Sequence, residues 1–299
     1  MSAFLFLVVV IVWGLTWFAI HLQLGATPDI VSIFWRFASA SLLLWALMLA
    51  SRAYRRVSWR NHLGYGALGL CLFSVNFIFL YAAGRHISSG LESVVFSLAT
   101  VLNVFNQFVF RRIRPSGRVL AGAALGSLGV ALLFADQLTG PSLDAIGILL
   151  ALGGTYCFSL GNLLSTRMTA DGTSLANVMV RAMSWGTAFL AALVIFSGDH
   201  FAISTGRLYL GGLVYLSIFG TIIGFFAYLT LVARIGASRA AYVTVITPVV
   251  ALTVSTLFES YRWSGLAVPA TILILLGNLI IFLPKRLWQS GRRRIEAQE

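Results

Sequence analysis

Apolar runs close to twenty residues long recur ten times along this chain, and that recurrence constrains its fold more than any single motif. A run of ~20 apolar residues crosses the hydrocarbon core of a bilayer as a helix, because a helix satisfies its own backbone polar groups where no water can. No stretch alternates at period two over the ~10 residues that a strand of a membrane barrel needs. Charged residues are only 10% of the chain and hydrophobic ones 59%, against about a quarter charged in soluble domains. The expected fold class is therefore an all-α integral membrane protein. Runs and breakers predict helices at 3–22, 31–50, 63–84, 91–110, 118–135, 144–165, 175–196, 208–233, 239–258 and 263–284. The first run is expected to be retained, since no Lys or Arg precedes it as in a secretory signal.

Charge sets the expected orientation, because cytoplasmic loops keep Lys and Arg. With the N-terminus inside, sixteen of the 21 Lys and Arg fall in inner segments, three (Arg85, Arg207, Arg262) in outer loops and two (Arg36, Arg181) within spans. Both termini are expected in the cytoplasm, and the segment Gln137–Ser142 outside. The same placement explains the net charge of +12 by topology, so a nucleic-acid partner is not expected. Cys71 and Cys157 fall inside spans without a paired motif and read as apolar filler.

The chain also resembles itself. A shift of 148 lays FRRIRPSG (110–117) on FESYRWSG (258–265), a shift of 145 sets Arg36 on Arg181, and a shift of 140 sets Gly14 on Gly154 and Phe18 on Phe158. Five helices per half invert the second copy, the plan of secondary transporters with a substrate site between the halves. The expected units are two inverted five-helix repeats, 1–138 and 139–285, and a basic cytoplasmic tail, 286–299.

Candidate substrate contacts follow from polar and aromatic groups within lipid depth. Trp13, Trp17 and His21 share one face of the first span at i, i+4, i+8, and an indole N–H at mid-span needs an acceptor or water. The positions related to them in the sixth span are Gly153, Cys157 and Gly161, so a flat ring is expected to fit between the tryptophans and that small-residue face. Ser93, Ser97, Thr100, Asn103 and Gln107 line one face of the fourth span; unsatisfied polar groups cost several kcal/mol in hydrocarbon, so the stripe lines a pathway or joins helices. Asn76, Tyr81, Tyr156, Tyr228, Tyr242 and Pro248 complete the candidates. His21, Arg36, Arg85, His86, Glu92 and Glu259 map near outer ends and Arg181 near an inner end. Ion pairing at an outer gate, snorkelling, and proton coupling through His21 or Glu92 all remain open there.

The segments VIVWGLTWFAI, FWRFASASLLL, LGGTYCFSLGN and ASRAAYVTVITPVVALTVSTLFESYRWSGLAVPATILILLGNLII together resemble the EamA branch of the drug/metabolite transporter superfamily. Thr100 stands where that family often has proline in the fourth span, and Arg111 where an acidic residue often ends it, whereas the ninth span keeps Pro248 and Glu259. The resemblance implies an exporter of small metabolites, amino acids including aromatic ones among them, in the bacterial inner membrane.

The partners expected are a small-molecule substrate and membrane lipid. Coupling to protons or to a counter-substrate, and monomer or homodimer, are left open, as are a channel-like facilitator and export of other metabolites or drugs. Four scattered histidines and two cysteines form no nucleophile–base pair or metal cluster, and no phosphate loop appears. No enzyme activity, cofactor or metal is expected.

Overall fold

A computed structural model describes residues 2–55, 57–139, 145–170, 172–235 and 243–282, and among them every regular element is helical. We number the α-helices α1 (Ser2–His21), α2 (Asp29–Ala50), α3 (His62–Phe73), α4 (Val75–Ala83), α5 (Ser89–Phe96), α6 (Ala99–Arg111), α7 (Gly117–Thr139), α8 (Ala145–Met168), α9 (Leu175–Phe196), α10 (Arg207–Val214), α11 (Gly224–Ile235), α12 (Val243–Phe258) and α13 (Ala267–Phe282). A π-helical stretch, Tyr215–Ile223, joins α10 to α11. Among the described residues, seven segments are long and apolar enough to cross a membrane: Ser2–His21, Asp29–Ala50, Trp59–Ala83, Ser89–Arg111, Ala145–Met168, Leu175–Phe196 and Arg207–Tyr228. Three shorter apolar helices, Gly117–Leu132, Val243–Phe258 and Ala267–Ile281, occupy the places of the fifth, ninth and tenth expected spans. The expected basic tail 286–299 and the candidate Tyr242 lie outside the described residues.

Three of the expected spans are interrupted rather than continuous. Between α3 and α4 the chain turns at Ser74 (φ −139°, ψ −81°), whose hydroxyl bonds the carbonyls of Gly69 at 3.2 Å and Gly186 at 3.0 Å. Between α5 and α6 the break falls at Ser97–Leu98, where Ser97 Oγ donates to the Val94 carbonyl at 2.7 Å and accepts from Asn278 Nδ2 at 2.8 Å. In the π-helical stretch Ser217 donates to the Arg36 carbonyl at 3.2 Å and lies 2.8 Å from the Ser39 hydroxyl. Ser74 and Ser97 bond carbonyls of their own interrupted spans and Ser217 ties the π-helical stretch to α2, which an apolar side chain at membrane depth cannot do.

Packing pairs the helices across the chain. α7 lies along α13, α2 along α9 and α5 along α12; α1 packs against α11 and α12, and α8 against α3–α4 and α5–α6. Glycine seams bring backbones together: a Cβ at Gly122 would stand 2.5 Å from the Gly277 carbonyl oxygen, one at Gly186 2.9 Å from that of Gly69 and one at Gly154 2.9 Å from that of Asn76. Small residues at such crossings substitute close van der Waals contact for the hydrophobic drive absent in lipid.

The polar links between loops sort into two ends. At one end Arg85 holds Asp29 through two 2.7 Å hydrogen bonds, Thr27 reaches Tyr209 at 3.3 Å, and Trp35 Nε1 donates to the Phe201 carbonyl at 3.2 Å. At the opposite end Asn177 donates to the Ala53 carbonyl at 2.9 Å and accepts from the Arg55 amide at 3.0 Å, and Arg111 donates to Thr166 Oγ1 at 2.7 Å.

Candidate functional site

α1 and α5 run in opposite directions and meet twice. His21, the last residue of α1, lies 3.5 Å (Nε2) from a Glu92 carboxylate oxygen in the first turn of α5, and its Nδ1 lies 3.7 Å from a Glu259 oxygen just beyond α12. Glu92 is fully buried, and its two oxygens find no hydrogen-bond donor among the described residues. The other Glu259 oxygen accepts from the Ser89 amide at 3.0 Å and Ser255 Oγ at 2.9 Å. His21, Glu92 and Glu259 thus form one cluster, two carboxylates around one imidazole.

One helical turn deeper on both helices, ~6 Å along the axis, the chemistry changes from charge to rings. Trp17 meets Phe96 edge-on at 4.9 Å, and Phe96 meets Phe158 at 4.7 Å. Trp17, Leu80 and Ala251 form one buried cluster with Phe77 and Phe96 packed against it, so with Phe158 five of the expected spans contribute to one apolar layer. Phe77 in turn lies 4.9 Å from Phe37 and 4.3 Å beneath the Arg36 guanidinium. Deeper still, Asn103 Oδ1 accepts from Ser159 Oγ at 2.8 Å, and Ser159 Oγ accepts from Asn106 Nδ2 at 2.8 Å.

Arg181 secures the far end. It donates to the Asn177 carbonyl at 2.7 Å, to Asn177 Oδ1 at 3.0 Å and to the Arg55 carbonyl, with its guanidinium 5.0 Å from the Tyr54 ring centre. The 53–55 segment is thereby fastened to the start of α9.

The sequence candidates divide accordingly. Trp17 and His21 face this column, and Tyr81 borders it, fully buried and donating to Gln23 Oε1 at 2.6 Å. Asn76 is fully buried, with neither amide atom hydrogen-bonded among the described residues. Ser97, Thr100 and Pro248 are buried in the helices around it. Trp13 instead packs on Tyr228 (5.1 Å) and Phe225 (5.6 Å) of α11, and Tyr156 is 36% exposed. The expected apposition of tryptophans and sixth-span glycines is corrected: a Cβ on Gly153 or Gly161 would meet Phe79 or Leu72 of the third span, because those glycines admit a helix crossing. Sequence reasoning passed over Phe77, Phe96, Phe158, Gln23 and Asn106. Phe96 carried a signal, standing four residues after Glu92 as Trp17 stands four before His21.

The family follows from a match that covers the column and the helices around it. The EamA-like transporter family matches residues 1–135 and 145–283. The chain belongs to that family. It is a membrane transporter with several apolar helices. Among its relatives, a probable amino-acid metabolite efflux pump of Escherichia coli is 28% identical over 92% of each chain. One of the same description from Salmonella typhimurium is 26% identical over 97% of this chain and 98% of the other. An uncharacterized inner membrane transporter of Escherichia coli, YedA, is 26% identical over 90% of this chain and 89% of that protein. A solved structure aligns with TM-score 0.66 at 18% identity, covering 94% of this chain and 96% of that one, a likeness of fold alone.

Proposed function

We propose that this EamA-family protein is a secondary transporter of the bacterial inner membrane that exports small amphipathic metabolites, foremost amino acids including aromatic ones, by alternating access. The observation that carries the reading is the ring layer of Trp17, Phe77, Phe96 and Phe158, one turn beneath the His21–Glu92–Glu259 cluster and with the Arg181 cluster at the far end. Such a layer gives a flat apolar side chain edge and face contacts, and the buried amide of Asn76 and hydroxyl of Tyr81 offer polar partners. The efflux-pump names of relatives support the same substrate class. Trp13, Tyr228 and Tyr156 belong to the surrounding wall in this reading, and Ser97, Asn103 and Pro248 shape the helices that bound the layer.

The reading includes ten spans as two inverted repeats, 1–138 and 139–285. Two family matches of similar length, one per half, support it. So does the packing: exchanging the halves carries the α1 contacts with α11 and α12 onto the α8 contacts with α3–α4 and α5–α6, and leaves the α7–α13, α2–α9 and α5–α12 pairs in place. With Arg52, Arg55, Arg111 and Arg112 at the Arg181 end, that end faces the cytoplasm.

Counterflow in proteoliposomes tests the reading. Vesicles loaded with L-phenylalanine should accumulate labelled L-phenylalanine transiently and saturably. Unsaturable flux without counterflow would make the protein a channel, and no flux of any aromatic or aliphatic amino acid would remove the substrate class.

A further inference from the structure

We infer that Arg36, with Gln23 beside it, receives the carboxylate of the transported molecule, an inference that rests on the export reading and narrows its substrates to carboxylates. Arg36 is 3% exposed, yet Nε and Nη1 find no acceptor among the described residues. None of the ion pairs among those residues includes it. Asp29, seven residues earlier on the same helix, is occupied by Arg85 through both carboxylate oxygens. The guanidinium rests over Phe77 at 4.3 Å and Phe37 at 5.1 Å and lies against the Tyr81 hydroxyl. That hydroxyl already donates to Gln23 Oε1, which leaves the fully buried Gln23 Nε2 without an acceptor as well.

Among the described residues the place therefore holds three nitrogen donors without an acceptor and one positive charge without a counter-charge. A buried charge lacking a partner is costly, and within a membrane such a residue marks a functional position. Arg181, its counterpart in the repeat, shows the contrast: Arg181 donates to two backbone carbonyls and to a side-chain amide oxygen. Of two related arginines, one is consumed by the fold and one is left open. A carboxylate fits the open one, since its two oxygens match the guanidinium fork and its charge balances the site. Phe77 belongs to both groups, lying under Arg36 and packing against the cluster of Trp17, Leu80 and Ala251. A carboxylate held at Arg36 thus delivers an attached ring to the aromatic layer.

The test is thermal stabilisation of the purified full chain in detergent by 3-phenylpropionate, L-phenylalanine and phenethylamine. The two carboxylates should raise the melting temperature and the amine should not. Arg36→Gln should lose the response while melting no lower than wild type without ligand, because it removes an uncompensated buried charge. Arg36→Lys keeps the charge but not the fork, so the half-maximal carboxylate concentration should rise by about tenfold. If Arg36→Gln does not fold, the lysine variant and Gln23→Leu carry the same comparison. Wild type indifferent to both carboxylates, or variants with an unchanged carboxylate response, would overturn the inference. Counterflow separates it from the export reading. Carboxylate stabilisation without counterflow keeps the anion site and removes the exporter, whereas equal, Arg36-independent counterflow of L-phenylalanine and phenethylamine does the reverse.

Discussion

Trp13 and Trp17 stand one helical turn apart and have different surroundings, which makes them a sensitive pair at the residue scale. Trp17 meets Phe96 edge-on in the central layer, where Phe77 packs against the same cluster, so Trp17→Ala should raise KM for aromatic substrates by roughly tenfold, about 1.4 kcal/mol. Aliphatic substrates should be affected less, and Trp17→Phe should retain most activity. Trp13→Ala should lower the folded yield without changing substrate preference, because its ring packs on Tyr228 and Phe225. Transport kinetics of both variants over one substrate panel decide this; a matching selectivity loss in both would remove the distinction. Asn103→Leu leaves Ser159 without one acceptor and should cost about 1 kcal/mol of stability, read as melting temperature, with transport per folded molecule retained. The sequence already marked Trp17, His21 and Asn103, since polar and indole groups are conspicuous in apolar runs. Phe77, Phe96 and Phe158 were hidden among 22 phenylalanines, because only the helix crossings decide which rings meet. Gln23 and Arg36 needed the same information, since what sets them apart is a missing partner.

At the scale of elements, glycine spacing separates helix contact from open surface. On α3 a Cβ at Gly66 meets nothing within 4 Å, whereas one at Gly69 would collide with the Ala182 carbonyl and the Gly186 amide of α9. Gly66→Ala should be neutral, and Gly69→Leu should abolish the folded peak in size-exclusion chromatography. Equal tolerance of both would mean that α3 and α9 are further apart than described. Span positions were legible because hydropathy reports them directly. The interruptions at Ser74 and Ser97–Leu98 were not, since serine and leucine are unremarkable within a span and the break is held by distant partners, Gly186 and Asn278. Thr100, standing where the family often has proline, lies just past the second of these breaks in the first turn of α6.

For the whole molecule, the inverted plan predicts which loops share a side of the membrane. In a chain with Cys71 and Cys157 replaced by serine, a cysteine at Ser58 should react with an impermeant maleimide only in inside-out vesicles. One at His200 should react in intact cells. Reaction of both from one side would refute the scheme. The two ends are also held by different chemistry. Imidazole and carboxylates gather at His21, Glu92 and Glu259, side chain against side chain. At the Arg181 end a guanidinium grips main-chain carbonyls and a side-chain amide oxygen. Under the proposed alternating access the two ends therefore part differently: the first separates side chain from side chain, whereas the second must free main-chain carbonyls of the 53–55 segment and of α9 from a guanidinium.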